Sequence, residues 1–496
     1  MLSSTAAQTP GTTDQARPAP TASPQQTADT GDLTAAYRGI VKIEVAIRMP
    51  DYSRPWMTGR YGTGNGTGFM VDKGLFMTNA HVVANAERIY LSPYTDARKI
   101  PARVKFVAHD CDLALVEIDD TSAFEGVPCL QFSDNLPRLE DTVRAIGYPI
   151  GGSRLSVTRG IVSRIDAIPY SHPRNEMHMA VQIDAAVNPG NSGGPILMGN
   201  KVVGVAFQGL TNANATGYMI PTPVIKRFLK DVSDGRYDEY VDLGASFFPL
   251  ENEALRRHYG LPQTPVGGVV GEVLQGSSAD GVLQVGDVVL AVDGLPVDSS
   301  AMIILEGQRV QLEELAERAF KGDQVTFSIL RQGEPMTVTA TLHSLPGKDI
   351  NLYAYDRQPR YVQFAGLIFQ PLNLNVALAH KLDMKNFLVE LDKFIHRGGA
   401  VVKDDLVIIT DILKDEVNAR LGQVTNNLVT KVNGVEVKGL RHLYELLYPE
   451  DPDARPPYTV IELSGKGRPI VIDNATVESA NARISGNYGV NAPARL

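Results

Sequence analysis

The chain has 496 residues, a hydrophobic content of 43% and a formal net charge of -9. At about 100 to 200 residues per domain this length implies roughly three modules, and the negative balance excludes a general electrostatic attraction to nucleic acid or an anionic membrane. No apolar run reaches the ~18 residues a bilayer-spanning helix needs.

Residues 1–33 are rich in Ala, Thr, Pro and Gln and hold too few large apolar groups to offset the entropy of ordering, so a flexible leader is expected. It lacks the apolar core of a secretory signal, which implies that none is used or that one has been removed. From about 36 to 230, short β-branched or alternating runs such as IVKIEVAI, LALVEI, VRAIGYP and KVVGVAFQG are separated by Gly, Pro, Asn and Asp. That pattern predicts an antiparallel sandwich or barrel assembly. Pro223–Val232, PVIKRFLKDV, predicts a helix with Pro in its first turn, and the first domain, 34–235, ends near Gly235. Cys111 and Cys129 are too few for a disulfide framework or a Cys-rich metal site, and both read as small buried side chains.

Two later segments look alike. VVLAVDGLPV (Val288–Val297) and LVTKVNGVEV (Leu428–Val437) each set Asp-Gly or Asn-Gly between apolar residues, a strong hairpin signal. Each is followed by a helix-like run, LEELAERAF or LRHLYELL, and then by a strand, QVTFSIL or YTVIEL. The repeated order predicts a duplicated module at 238–345 and 358–480, with a polar, irregular connection around LPGKDINLYAYDRQPRY and a tail at 481–496.

Chemistry centres on NPGNSGGP, Asn188–Pro195. A serine hydroxyl is a weak nucleophile until a base takes its proton, a third group orients the base and N–H donors receive the oxyanion. The glycines allow the amides of Gly190 and Ser192 to point into one concavity. His81 in TNAHVV follows an apolar strand, where a loop can present an imidazole from a rigid sheet. In HDCDLALVEI, Asp112 opens an apolar strand, where an ionised carboxylate needs a partner. Asp110, two residues earlier, would share its side in a regular strand, and pattern alone leaves both open. GTGNGTG (Gly62–Gly68) fails the G-x-G-x-x-G fingerprint at Thr67 and reads as a flexible lead-in to a strand. The chain has no G-x-x-x-x-G-K-[ST], H-E-x-x-H or Cys/His cluster, so neither cofactor nor metal is expected and hydrolysis would be independent of ATP.

His81, Asp112 and Ser192 follow in the order His, Asp, Ser within one β-rich region, and TNAHVV, HDCDLALV and QIDAAVNPGNSGGP closely resemble the motifs of HtrA/Deg serine proteases. HDCDLALV, FAGLIFQPL and VIITDILKDEVN look most like the plant-type branch of chloroplast and nuclear Deg proteases and their bacterial relatives. The fold implied is mainly β, a trypsin-like double β-barrel followed by two PDZ domains. By this resemblance Asp112, not Asp110, orients His81, the general base; Ser192 attacks the peptide; and the Gly190 and Ser192 amides, with Asn191 in the same loop, form the oxyanion hole. Gly217, Met219 and Ile220 would line a cleft for a small aliphatic P1 residue. Leu243, Gly244, Ala245 and Ser246 would hold a peptide carboxylate in the first PDZ domain, while the insertion MKNFLVELDKFIHRGGAVVKDD favours an assembly role for the second.

The resemblance further implies degradation of unfolded or misfolded proteins, with no nucleic-acid partner. It implies a homo-oligomer built on trimers, with Tyr37 and Trp56 as contributors, Trp56 being equally an ordinary packing residue. The leader looks like a bacterial envelope linker, which points to the periplasm, with a plastid or another organelle as the alternative. The rival function is a non-proteolytic chaperone or peptide-binding scaffold on the same fold.

Overall fold

The computed structural model describes residues 37–94, 98–150, 154–174, 176–209, 217–261, 266–451 and 455–496; the expected leader lies outside them. Strands β1 (Ile40–Met49), β2 (Arg60–Asp72), β3 (Leu75–Thr78), β4 (Ala86–Pro93), β5 (Ile100–Ala108) and β6 (Leu113–Glu117) close into a barrel in the order β1-β2-β3-β6-β5-β4. Alternation along β1 sends Val41, Ile43 and Val45 inward, as a half-buried strand requires. GTGNGTG is no lead-in: it is the body of β2, paired with β1 from Ile40↔Phe69 to Met49↔Arg60. A Cβ at Gly66 would stand 2.5 Å from Val82. Its absence lets the single turn α1 (Ala80–Val83) lie against the barrel.

The second barrel comprises β7 (Gln131–Phe132), β8 (Thr142–Gly147), β9 (Ser156–Pro169), β10 (Met177–Ile183), β11 (Pro195–Met198), β12 (Lys201–Gly209) and β13 (Gly217–Pro221). Their order is β11-β8-β9-β10-β13-β12-β7, and an added β11–β12 pairing closes the ring. Phe69, Met77 and Leu113 from the first barrel share one apolar cluster with Tyr170, Phe207 and Phe228 from the second half, so the barrels meet across a common core. Helix α2 (Thr222–Asp231) follows with Pro in its first turn, as expected, and the chain turns at Gly235 with φ +99°. Cys111 is buried and unpaired, but Cys129 is only half-buried, because it sits at the periphery of the first barrel's core.

The middle unit has β14 (Ala245–Pro249), β15 (Gly268–Val273), β16 (Val288–Val292), β17 (Leu295–Pro296), a separate hairpin of β18 (Met302–Leu305) and β19 (Gln308–Gln311), then β20 (Gln324–Arg331) and β21 (Glu334–Thr341). Asp293 and Gly294, at φ +44° and +79°, make the predicted hairpin turn. The run LEELAERAF keeps only Glu314–Glu317 as α-helix. The C-terminal unit orders β22 (Tyr361–Phe364), β23 (Leu367–Pro371), β24 (Val407–Ile412), β25 (Asn427–Val432), β26 (Val435–Glu436), β27 (Tyr458–Leu463), β28 (Ile470–Asp473) and β29 (Ala494–Arg495) as β28-β27-β25-β24-β23-β22-β29, with β26 on β25. Its hairpin turn, Asn433-Gly434, again has positive φ, and Leu440–Leu447 is helical as predicted.

Residues 481–496 are not a loose tail. Val477, Ala480 and Ile484 form the buried stripe of a helix, Val477–Tyr488, and β29 pairs with β22. Trp56 takes the packing role that is one of its two readings: it is 9% exposed, packs with Tyr361, Ile368 and Ile484, and donates its indole N–H to the Tyr488 carbonyl at 3.1 Å. Tyr37 is half-buried and receives Arg144 at 3.4 Å. No helix among the described residues is long and apolar enough to cross a membrane.

Candidate active site

Thr78 of β3 stands opposite Ala114 of β6, so the chain leaving β3 and the chain approaching β6 emerge at one end of the first barrel. The first carries His81 on α1, a helical turn where a loop was expected; the second carries Asp112. His81 Nδ1 lies 2.8 Å from Asp112 Oδ2, and the His81 main-chain N–H donates to Asp112 Oδ1 at 2.8 Å. Asn79 Nδ2 donates to the Asp112 carbonyl at 2.9 Å, and the Asp112 side chain is fully buried.

Asp112 adopts φ +55°, in the left-handed region, which breaks the strand alternation that would have put Asp110 on the same side. Asp110 instead accepts the Tyr237 hydroxyl at 2.6 Å, the Tyr240 N–H at 2.9 Å and the Cys111 N–H at 2.9 Å. Burial acts to raise the Asp112 carboxyl, but the charge of His81 and the bonds from His81 outweigh it and hold the group below its ordinary value. For His81 burial acts downward, and the charge and hydrogen bond of Asp112 reverse it, leaving the imidazole above its ordinary value. The His172 ring, 6.1 Å from that of His81, is pushed down to about 3, chiefly by burial, and is neutral at pH 7.

Ser192 comes from the second barrel, between β10 and β11. Its loop is pinned by the first barrel: Thr67 N–H donates to the Ser192 carbonyl at 2.8 Å, and Thr67 Oγ1 donates to the Gly190 carbonyl at 2.7 Å. Thr67 is the residue that spoiled the nucleotide fingerprint, and sequence reading missed its role. Gly190 has φ +99°, and a Cβ there would lie 2.4 Å from the Tyr148 carbonyl. Gly190 and Ser192 donate their amides to no other group among the described residues. Asn191 contributes only its main chain to the loop: its N–H closes a turn to Asn188 at 2.9 Å, and its side chain is turned inward beside Gly147, with Oδ1 unpartnered. The Ser192 hydroxyl contacts the Phe207 carbonyl at 3.5 Å and makes no hydrogen bond to His81.

The arrangement pairs an oriented imidazole with a serine in a glycine-shaped loop of a two-barrel unit. Residues 66–205 match the trypsin-like peptidase domain family, and residues 350–494 match the PDZ domain family. The chain is 32% identical over 469 residues to "Putative protease Do-like 13" of Arabidopsis thaliana, which covers 94% of this chain and 90% of that one. It is 34% identical over 420 residues to "Putative protease Do-like 3, mitochondrial" of the same plant, covering 84% and 73%. The chain belongs to the HtrA/Deg, or Do-like, serine protease family. It is therefore a serine endopeptidase. An HtrA-type protease AlgW variant solved with a decapeptide shares the fold at TM-score 0.50 and 22% identity, covering 65% of this chain and 97% of that chain.

The remaining expected site residues of this Deg protease divide. Met219 and Ile220 are both fully buried and, as strand neighbours, face different cores, so they do not line one cleft together. A Cβ at Gly217 would meet Val187 at 2.4 Å. At the first carboxylate loop, Leu243 and Gly244 accept Ala279 and Leu274 amides, and Gly244 N–H donates to Asp242 at 2.7 Å, so that donor is already occupied by a carboxylate of the chain itself. Ala245 and Ser246 open β14, which among the described residues pairs with β15 alone and leaves its other edge free. In the C-terminal unit the matching stretch FAGLIF is buried: β23 is flanked by β22 and β24, and Asn481 and Asn418 take the Ala365 N–H and carbonyl.

Proposed function

We propose that Ser192, His81 and Asp112 form the catalytic triad of an ATP-independent endopeptidase acting on unfolded or misfolded proteins. The supporting observation is that both oxygens of a fully buried Asp112 are bound by His81. That fixes the tautomer: Nδ1–H faces the carboxylate and Nε2 is left as the acceptor. In the reaction the Ser192 hydroxyl turns from the Phe207 carbonyl toward Nε2, gives it the proton and attacks the peptide carbonyl carbon. The Gly190 and Ser192 amides receive the oxyanion. The imidazolium then protonates the leaving amine, and water, activated by the same nitrogen, releases the acyl group. Asp112 stays ionised and stabilises the imidazolium.

Substrate reading is less local. The edge of β14 left unpaired among the described residues fits an extended peptide added as a strand. Assembly on trimers is part of this proposal, without Trp56. Relatives named mitochondrial, chloroplastic and periplasmic support a compartment of one of those kinds, the periplasm being the one the leader's composition favours. The test is direct. Wild type digests reduced casein without nucleotide and the Ser192→Ala protein does not; equal rates at every temperature would leave the scaffold reading standing instead.

A further inference from the structure

We propose that Asp356, in the connection between the middle and C-terminal units, is a positioning residue for His81 and Asp112. It touches neither. One oxygen accepts the main-chain N–H of Asn85, while Asp356 returns its own N–H to Asn85 Oδ1 at 2.9 Å. The other oxygen accepts His109 Nε2–H at 2.8 Å. Asn85 stands just beyond α1, which carries His81, and His109 stands just before Asp112. A single carboxylate thus ties the exit of one loop to the approach of the other with charge-assisted bonds.

The need for such a tie follows from α1 itself. It is one turn, Ala80–Val83, and its N-cap Asn79 makes no side-chain cap bond. An isolated turn that short does not hold itself, so its orientation is set by whatever holds its ends. At the front, Asn79 is fastened to the Asp112 carbonyl. At the back, Asn85, in the left-handed region at φ +56°, is fastened to Asp356.

The tie extends sideways. His109 Nδ1 lies 2.9 Å from His172 Nε2, one ring nitrogen donating its proton to the other. Tyr355 stacks on His172 at 4.0 Å between centroids and donates its hydroxyl to the His172 carbonyl at 2.9 Å. Residues 355 and 356 together therefore fix the histidine that flanks His81. A cleft of about 820 Å³ runs along this segment, lined by His109, Tyr355, Asp356, Arg357 and Lys348 and reached by neither His81 nor Ser192. These contacts make the connection part of the catalytic frame. The Asp356 side chain is 37% exposed, so its removal opens no core.

The inference rests on the protease reading, and the experiment separates the two. Full-length wild type, Asp356→Ala and Asp356→Asn are compared on a peptide anilide, with the hydrogen-bonded His81 Nδ1 proton followed by NMR. Displacing the base by a fraction of its reach predicts a ~10- to 100-fold lower kcat for Asp356→Ala, with KM within about twofold and Tm nearly unchanged. Asp356→Asn, which keeps an oxygen for the Asn85 N–H, falls between. The Nδ1 proton, sharp in wild type, broadens in Asp356→Ala as the pair loosens. Unchanged or raised kcat in Asp356→Ala overturns the inference, a raised one because the segment would then be a lid. Should wild type prove inactive, the protease reading fails, and an Nδ1 signal identical in wild type and Asp356→Ala overturns the positioning role by itself.

Discussion

The two barrels bring unlike halves to the proposed active site. The first delivers His81 and Asp112 already engaged, through two 2.8 Å bonds and with the carboxylate out of water. The second delivers Ser192 on a loop whose main chain is fixed by Thr67 but whose hydroxyl rests 3.5 Å from the Phe207 carbonyl. The difference follows from the forces involved. A buried carboxylate is costly without a partner, so the His–Asp pair assembles with the fold. A serine hydroxyl rotates at little cost, and catalytic hydrogen bonds commonly tighten only when substrate is bound. One half is preorganised by charge, the other by glycine backbone with a final rotation left to the substrate.

The largest test of that contrast is Ser192→Ala. It removes the proposed nucleophile, and kcat is expected to fall by about 10⁶ with substrate binding retained. Asp112→Asn attacks the first half. The amide favours the wrong tautomer of His81, for a loss of about 10⁴ in kcat. It also moves the acid limb. In wild type His81, the proposed general base, must be neutral to act, so kcat/KM is expected to be lost as pH falls through a His81 value lying above the ordinary imidazole one. Without the Asp112 charge burial dominates and the limb moves to lower pH; a limb that stays in place would show that Asp112 does not set it. Gly190→Ala returns to the second half. The new Cβ, 2.4 Å from the Tyr148 carbonyl at φ +99°, forces the loop aside, and a displaced oxyanion donor predicts a loss of about 10²–10³ in kcat. Full activity in that variant would make the loop as adaptable as the hydroxyl it carries.

Much of this was legible in the chain. Alternating β-branched runs, the Asp293-Gly294 and Asn433-Gly434 turns and the Pro223 helix start are local signals, set by neighbours in sequence, and they formed as read. The pairing of His81 with Asp112 rather than Asp110 was readable only through family likeness, since the residue pattern assumed a regular strand and the left-handed turn at Asp112 breaks it. What the sequence hid depends on distant partners. Thr67 looked like a failed glycine motif because its value lies in bonds to Gly190 and Ser192. In sequence Trp56 is open between subunit contact and packing because the helix that covers it, Val477–Tyr488, lies at the other end of the chain. Asp356 and His172 sat in stretches with no periodicity at all.

The smallest expected effect asks whether the first half is self-sufficient. Asp110 is buried, and its carboxylate gathers the Tyr237 hydroxyl and the Tyr240 N–H from the segment that leads out of the barrels. Its carbonyl accepts His178 Nε2–H at 3.1 Å, and His178 Nδ1 lies 3.2 Å from Glu317 of the middle unit. Asp110→Asn preserves volume but replaces one acceptor oxygen by an NH₂, so a buried donor faces a donor, at a cost of ~1–3 kcal/mol in stability. Because Asp112 keeps both of its own bonds to His81, kcat falls only on the order of 10-fold or less. Urea unfolding and kcat measured on the same protein separate the two readings. Stability lost with kcat intact means that the His–Asp pair holds itself; kcat falling further than the pair's own bonds allow means that the middle unit, acting through Asp110 and His178, helps to hold the preorganised half in place.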